Sequence, residues 1–360
     1  MITPNTLQKG DSVAIISSAR AISKEEIISA KQLFESWGLN VVVGKTVGAK
    51  DNQFAGEDLL RAQDIQTMLD NQEIKAVFFA RGGYGSVRIL DKVDWQTLKS
   101  NPKWLIGYSD VTAVLMHTYY NVSLSSVHGI MPVNITDLSD NAAVKSLHNI
   151  LFSGNNEIVC PFYPLNRQGT ATGELIGGNL SVLYSLLGSD SFADTEDKIL
   201  FIEDLDEYLY HIDRMMQALK RSGKLNKIKA LLVGQMSDMH DNAVPFGKTA
   251  YQIIAENVKD TDFPVAFNLP IGHIGILNHA FIHGKTATVT INSTHTIIKQ
   301  YRIKLKRRFS KLKQRFILTT WRFIFVKRRF IFRYLLPLKK FYLSLHFQTH
   351  KQNINQLNKS

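Results

Sequence analysis

The feature that most constrains the fold is an alternation of short apolar runs with longer helical patterns across the first 150 residues. The runs "SVAIIS", "VVVG", "KAVFFA" and "WLIGY" have the length and β-branched content of strands, and each precedes a segment with apolar residues at helical spacing. Four strand-then-helix units predict a parallel sheet with helices on both faces. Such sheets bind ligands beyond the carboxyl ends of their strands, so we expect the functional residues there.

The rest of the chain is expected to be organised differently. Residues 153–172 carry Gly, Pro and Asn without clear periodicity, which indicates a linker between a first domain, 1–152, and a second domain, 173–298. Mixed strands and fewer helices in the second domain favour a smaller α+β or barrel-like fold. The protein is thus expected to be α/β overall, with residues 299–360 as a C-terminal extension.

Charge separates this extension from the rest of the chain. The formal net charge is +12, but residues 301–360 hold 17 Lys or Arg and no Asp or Glu, which leaves 26 basic and 31 acidic residues, a net of −5, before them. The basic, aromatic extension can lie on an anionic membrane surface, bind nucleic acid through phosphates, or have no selected role. All three interpretations predict that the globular part is complete without it.

Cysteine content and the first residues bear on location. Cys160 is the only cysteine, so an intrachain disulfide and a multiple-cysteine metal site are excluded. The opening "MITPNTLQKGDSVAIISS" lacks the basic region and long apolar run of a signal peptide. No segment reaches the roughly 18 uncharged apolar residues expected of a membrane span. We therefore expect a cytoplasmic protein, and the sequence implies no metal and no other cofactor.

Two corners that follow predicted strands carry residues of chemical interest. In "WLIGYSD", Ser109 lies where the strand turns into a helix, so it can cap the helix or hold a nucleophilic hydroxyl beside backbone N–H groups. In "RGGYG", the glycines match neither the dinucleotide-binding fingerprint nor the P-loop. They can line an oxyanion hole, because a residue without Cβ lets its N–H approach a substrate, or form a plain tight turn.

An acidic strand end and an apolar histidine loop offer partners for such a serine. "KILFIEDLDEY" ends an apolar strand with Glu203 and Asp204, which alternation places on opposite faces. Exposed loop carboxylates are the ordinary explanation, and holding a histidine in one tautomer is the functional one. Among eleven histidines, His273 differs because "NLPIGHIGILNH" surrounds it with Pro, Gly and apolar residues. Spacing alone does not select these residues.

Five motifs in order do select them. "RGGYG", "GYSD", "GELIGGNLS", "FIEDLDEYLYHIDRMM" and "LPIGH" resemble the serine LD-carboxypeptidases of murein recycling and their microcin-immunity relatives, over most of the chain before the extension. The resemblance implies a Rossmann-like first domain that bears the nucleophile, Ser109, and a second domain that bears Glu203 as the orienting acid and His273 as the general base. It also implies an oxyanion hole formed by the backbone N–H groups of Gly83 and Asp110.

The resemblance also implies an activity. A murein tetrapeptide would be cut before its terminal D-alanine through an acyl-enzyme, with a muropeptide as substrate and a homodimer as the assembly. A second possibility keeps the machinery and changes the substrate to a peptidyl or aminoacyl nucleotide. A third is a noncatalytic α/β ligand-binding protein in which Ser109 only caps a helix. Arg81 and Arg88 lie near the loop that would meet the substrate carboxylate, but capping or surface pairing explains each equally well.

Overall fold

A computed structural model describes residues 1–301, which belong to one compact unit. The rest of the extension, with its expected contacts to membrane or nucleic acid, lies outside the described residues. The strands are β1 Ser12–Ile16, β2 Asn40–Val43, β3 Ile74–Phe79, β4 Trp104–Gly107, β5 Ser126–His128, β6 Asn156–Pro161, β7 Gly169–Asn179, β8 Lys198–Leu205, β9 Ala230–Ser237, β10 Val265–Ala266, β11 Phe281–His283, β12 Thr286–Ile291 and β13 His295–Gln300. The α-helices are α1 Ile28–Ser36, α2 Asp58–Asp70, α3 Thr97–Ser100, α4 Thr112–Val122, α5 Ala142–Ser153, α6 Leu180–Ser185, α7 Leu209–Arg221 and α8 Ala250–Asn257. Within residues 1–301, no helix has the length and hydropathy that crossing a bilayer requires.

The first sheet confirms the parallel architecture predicted from the strand–helix alternation. Its order is β11-β5-β4-β3-β1-β2, and every neighbouring pair from β5 to β2 is parallel. Helices α1, α2 and α4 follow β1, β2 and β4, whereas a 3-10 helix, Ser86–Lys92, and the short α3 follow β3. Alternate residues of β1 enter separate apolar clusters, Ala14 and Ile16 in one and Val13 and Ile15 in the other. Both faces of the sheet are therefore covered.

The chain returns to the first sheet near the end of the described residues. Strand β11 pairs antiparallel with β5, with Ile282 opposite Val127. A strand from the expected second domain thus completes the sheet of the expected first domain. We keep the two-domain division as a proposal, with β11 as the segment that crosses it.

The second sheet is mixed. Its order is β10-β9-β8-β7-β12-β13-β6, parallel from β10 to β7 and antiparallel from β7 to β6. An α+β arrangement is therefore observed in this part of the chain. Residues 156–161, which the sequence indicated as part of a linker, form β6 beside β13. This strand could not be predicted from the sequence, because an apolar residue, Val159, occupies an exposed position and breaks the apolar–polar alternation. Its neighbours Ile158 and Cys160 are buried.

The carboxyl end of β7 packs on the first turn of α4. A Cβ on Gly178 would overlap the side chain of Thr112, and the Asn179 N–H donates to Thr112 Oγ1 at 3.1 Å. Gly178 has a φ of 149°, which favours glycine because a Cβ would be strained there. This contact brings the carboxyl end of β7 close to the corner that carries Ser109.

Two histidines lie in the interior close to that corner. His128 of β5 and His283 of β11 are fully buried, and neither ring nitrogen of His128 has a protein partner among the described residues. The centroid of the Phe201 ring lies 4.9 Å from that of His128 and 6.3 Å from that of His283. Burial lowers the pKa of each histidine to about 3. Both side chains are therefore neutral in the folded protein at neutral and mildly acidic pH.

Acid should destabilise the fold through these two histidines. Their folded pKa lies below that of an unfolded histidine, so the unfolded chain takes up protons that the folded chain does not, and stability falls as pH drops below about 6.5. At pH 5, each histidine should lower the free energy of unfolding by about 2 kcal/mol. We expect His128→Leu to reduce the loss of stability between pH 8 and pH 5 in urea unfolding. An unchanged loss would show that His128 is not responsible.

Candidate active site

Ser109 lies at a strained corner between β4 and α4. Tyr108 continues the extended backbone, Ser109 has a φ of 61°, and Ser109–Val111 form a 3-10 turn that leads into α4. A non-glycine residue in the left-handed region costs on the order of 1–2 kcal/mol. Neither the 3-10 turn nor α4 has a side-chain cap hydrogen bond. Ser109 begins the helical segment but does not cap it, which removes the capping explanation for this residue.

The glycine loop after β3 lies directly against Ser109. A Cβ on Gly82 would lie 3.0 Å from both Cβ and Oγ of Ser109, so a larger residue would crowd the hydroxyl. Asp110 fixes the end of this loop, because its buried carboxylate accepts the Ser86 N–H at 2.8 Å. Burial raises the pKa of Asp110, and the hydrogen bonds from Ser86 oppose that rise. The residue that follows the serine therefore holds the loop that borders it.

A buried acid and a histidine form the second half of the site. Glu203, near the end of β8, has no exposed side-chain surface, and its Oε2 lies 2.8 Å from Nδ1 of His273. His273 lies on the loop after β10, and 15% of its side chain is exposed. Because Glu203 engages Nδ1, Nε2 is the ring nitrogen left for an external group.

Glycines make room for this pair. A Cβ on Gly272 would lie 2.8 Å from Oε2 of Glu203, and a Cβ on Gly234 would lie 3.1 Å from Cβ of Glu203. The Gly272 N–H donates to Oδ1 of Asn278 at 2.9 Å, which fixes the loop on the other side. Gly272 also has a φ of 114°, so both its space and its conformation suit glycine.

Tyr108 brings the two halves of the site together. Its ring centroid lies 4.8 Å from that of His273, and Tyr108 immediately precedes Ser109. Burial, and then the charge of Glu203, raise the pKa of Tyr108, so the phenol beside the acid is neutral. The structure thus places the serine, the glutamate and the histidine of the sequence prediction at one corner. Within residues 1–301, Ser109 and His273 share no hydrogen bond; such contacts often form only with substrate.

Opposing effects set the protonation of His273. Burial lowers its pKa, but the hydrogen bond and charge of Glu203, with the charge of Asp204, outweigh burial, and the pKa is raised. Asp204 has other partners, because its carboxylate accepts from Asn179 Nδ2 and the Ser181 N–H, both at 2.8 Å. Burial and the charge of Glu203 raise the pKa of Asp204 to about 7. The two acids therefore have different partners, as strand alternation predicts.

The two residues expected to form an oxyanion hole are each the sequence neighbour of a residue at the site. Asp110 follows Ser109 directly, whereas Gly83 follows Gly82, the glycine that packs on the serine. Sequence reasoning missed this place of Gly82, because a short loop with several glycines carries no signal for which one faces the serine. A Cβ on Gly83 would overlap the aliphatic part of Arg20, which the sequence also did not indicate.

The two arginines considered for a substrate carboxylate both have acidic partners. Arg81 lies 3.1 Å from Glu26, and Arg88 donates twice to Asp58, at 2.9 and 3.0 Å. Surface pairing therefore explains both. Among the described residues, no group of three or more His, Cys, Asp or Glu side chains is arranged to hold a metal ion.

A serine on a strained strand-to-helix corner, beside a glycine loop and a glutamate–histidine pair, is the arrangement of a serine hydrolase. Residues 13–129 match the family model of the LD-carboxypeptidase N-terminal domain, and residues 172–289 match that of the LD-carboxypeptidase C-terminal domain. A Bacillus subtilis protein named "Probable murein peptide carboxypeptidase" is 34% identical over 303 residues, which cover 82% of this chain and 93% of that protein. The chain belongs to the LD-carboxypeptidase family and is a serine-type carboxypeptidase.

Solved structures share its fold. The muramoyltetrapeptide carboxypeptidase from Oxalobacter formigenes has a TM-score of 0.74 and 25% identity, with 81% of this chain and 99% of that chain covered. The structure of MccF in complex with glutamyl sulfamoyl guanosine has a TM-score of 0.73 and 21% identity, with 84% and 99% covered. Together with the family match, these similarities confirm the family resemblance and the α/β fold predicted from the sequence.

The contact between Gly82 and Ser109 gives a first test of the site. The added Cβ of Gly82→Ala would force the serine to shift by a few tenths of an ångström, and small displacements of reacting atoms cost on the order of 10- to 100-fold in rate. We expect kcat for peptide hydrolysis to fall by about that factor, with little change in Tm.

Gly10→Ala, just before β1, is the matched control. Its added Cβ meets nothing within 4 Å, but its φ of 92° strains an alanine, so Tm should fall while kcat stays unchanged. Full activity of folded Gly82→Ala would contradict the assignment of Gly82 to the site.

Proposed function

We propose that the protein removes the terminal D-alanine from murein tetrapeptides, with Ser109 as nucleophile, His273 as general base and Glu203 as the acid that orients the histidine. The observation that carries this proposal is the buried Glu203–His273 hydrogen bond, whose histidine ring packs against the residue before Ser109. A histidine held at Nδ1 by an acid can take a proton at Nε2. The names of two relatives, a murein peptide carboxypeptidase and a muramoyltetrapeptide carboxypeptidase, support this substrate class.

The proposed reaction has two halves. His273 takes the proton of Ser109 as Oγ attacks the carbonyl carbon of the L,D peptide bond, and the N–H groups of Gly83 and Asp110 donate to the oxyanion. The C–N bond then breaks as the histidine gives its proton to the departing D-alanine amine, which leaves an acyl-enzyme. Water that loses a proton to the same histidine attacks the ester, the C–O bond to the serine breaks, and the serine regains its proton as the tripeptide leaves.

Burial makes Glu203 effective in this scheme. Its side chain has no contact with solvent, so water screens its charge little, and it stabilises the imidazolium that forms when Ser109 gives up its proton. Asp204 is the alternative acid if Glu203→Gln has no effect. Its oxygens already accept from Asn179 and Ser181, which makes it the weaker candidate.

The substrate and its setting follow from the family resemblance. We propose that the enzyme acts in the cytoplasm, on wall fragments that are being recycled, and as a homodimer. The net charge of −5 before residue 301 gives no overall attraction for an anionic muropeptide. Recognition must therefore depend on local groups at the site.

A second candidate keeps this site and changes the substrate to a peptidyl or aminoacyl nucleotide. MccF, which has the same fold, was solved with glutamyl sulfamoyl guanosine. Tyr208 and Tyr210, which are 44% and 40% exposed, follow the strand that carries Glu203 and offer aromatic faces on which a base can stack. The two candidates differ in the group released, which is D-alanine in one and a nucleotide derivative in the other.

Substitution of the three residues tests the catalytic assignment. Ser109→Ala and His273→Ala should each lower kcat roughly 10⁴-fold or more, and the double variant should be scarcely worse, because such residues act as a unit. Glu203→Gln should cost less. Mass spectrometry should detect D-alanine and a tripeptide from the wild-type protein and a murein tetrapeptide.

Two results would contradict this proposal. Near-normal turnover by folded Ser109→Ala would remove the nucleophile. Release of a nucleotide derivative from an aminoacyl nucleotide, with no D-alanine from the tetrapeptide, would replace the substrate by that of the second candidate.

The pH dependence gives an independent test of Glu203. The base must be neutral, so kcat/KM should fall as pH drops through the titration of His273. Because Glu203 raises the pKa of His273, the acid limb of the wild type should lie above about 6.5, the usual histidine value. The uncharged amide of Glu203→Gln no longer favours the imidazolium, so the limb should move to lower pH. An acid limb at the same pH in both proteins would argue against Glu203 as the partner.

A further inference from the structure

Arg20 lies beside the glycine loop with an unpaired charge. A Cβ on Gly83 would overlap Cγ and Cδ of Arg20, so the aliphatic part of this side chain covers Gly83. Arg20 is exposed. Among residues 1–301, its guanidinium has no carboxylate partner and no hydrogen-bond acceptor. A charged group thus stands at the edge of the proposed oxyanion hole with nothing in the described chain to bind.

Backbone contacts fix the point from which this side chain extends. The Arg20 N–H donates to the Gly82 carbonyl at 3.3 Å, and the Arg20 carbonyl accepts from Ser17 Oγ at 2.8 Å. A single antiparallel bridge joins Arg20 to Phe54 on the other side. Gly82 is also the residue that packs on Ser109. The backbone of Arg20 is therefore hydrogen-bonded to the glycine loop, against which the proposed nucleophile also packs. Arg20 is not part of a free surface segment.

The other arginines around this loop are already engaged. Each has an acidic partner: Arg61 with Asp58, Arg81 with Glu26, and Arg88 with Asp58. An arginine with a carboxylate partner offers less to a second carboxylate, because its positive charge is already paired. The difference in pairing singles out Arg20.

A carboxypeptidase must recognise the free carboxylate at the end of its substrate. Only the amide nitrogen and one Cα separate that carboxylate from the scissile carbonyl, so the group that binds it must lie close to the oxyanion hole. A guanidinium matches a carboxylate with two parallel N–H donors. We propose that Arg20 binds the terminal carboxylate of the substrate and so restricts cleavage to the last peptide bond. This inference rests on the proposed function and adds a residue that determines specificity.

The test compares a murein tetrapeptide that ends in D-alanine with the same peptide that ends in D-alaninamide. Arg20→Met keeps an aliphatic chain over Gly83 and removes the charge. We expect it to raise KM for the acid roughly 10- to 100-fold, with a smaller change in kcat. The kcat/KM for the amide should stay unchanged. Arg20→Lys should recover part of the preference for the acid over the amide. Arg81→Met, which removes a paired arginine from the glycine loop, should keep all of that preference.

The outcomes separate this inference from the proposed function. If the wild type prefers the acid and Arg20→Met keeps that preference, the assignment of Arg20 is overturned. If the wild type releases neither D-alanine from the acid nor D-alaninamide from the amide, the proposed function fails. In that case, calorimetry measures the binding of both peptides to Ser109→Ala, with and without Arg20→Met, and so tests the assignment of Arg20 separately. A preference for the acid that Arg20→Met abolishes supports the inference, and equal or absent binding of acid and amide overturns it.

Discussion

The hydrogen bond between Glu203 and His273 is the interaction on which the rest of the site depends. A carboxylate without exposed surface is costly to bury, and here only Oε2 has a protein partner among the described residues, whereas Oε1 has none. The charge is thus poorly compensated while the histidine is neutral. When the proposed base takes a proton, the imidazolium supplies the missing charge. An interaction that is stronger in the charged state than at rest favours the reaction, not just the binding of substrate.

The geometry around this pair comes from strand ends that meet. Strands β3 and β4 of the first sheet lead into the glycine loop and Ser109, and β8 of the second sheet presents Glu203 near its carboxyl end. Two contacts hold these ends together, the Asn179–Thr112 hydrogen bond and the packing of Tyr108 on His273. Glycine occupies the points of closest approach, because any Cβ there would fill the space the proposed catalytic side chains need. The site is therefore an outcome of backbone packing as much as of the three side chains.

The sequence predicts these parts to different degrees. Strands β1, β3 and β4 of the first sheet were predictable, because strands buried on both faces leave continuous apolar runs. Strand β6 was not predictable, because the exposed Val159 interrupts the alternation of apolar and polar residues. Alternation predicted opposite faces for Glu203 and Asp204, but which of them meets a histidine depends on a contact between residues 70 positions apart. His273 could be chosen from eleven histidines only through the family resemblance. Nothing in the sequence indicated Arg20, because what distinguishes it is that the arginines around it have acidic partners.

The different partners of Glu203 and Asp204 also bear on how available the proposed base is. The charge of Asp204 raises the pKa of His273, but burial and Glu203 raise the pKa of Asp204 to about 7, so it is partly protonated at neutral pH. A protonated Asp204 places less negative charge near the histidine, which keeps the pKa of His273 closer to the pH at which a general base is most effective. A second full charge would favour imidazolium at rest, and imidazolium cannot take the proton of Ser109. The burial of Asp204 thus limits what Asp204 itself adds to the basicity of the histidine, although its hydrogen bonds from Asn179 and Ser181 oppose its protonation.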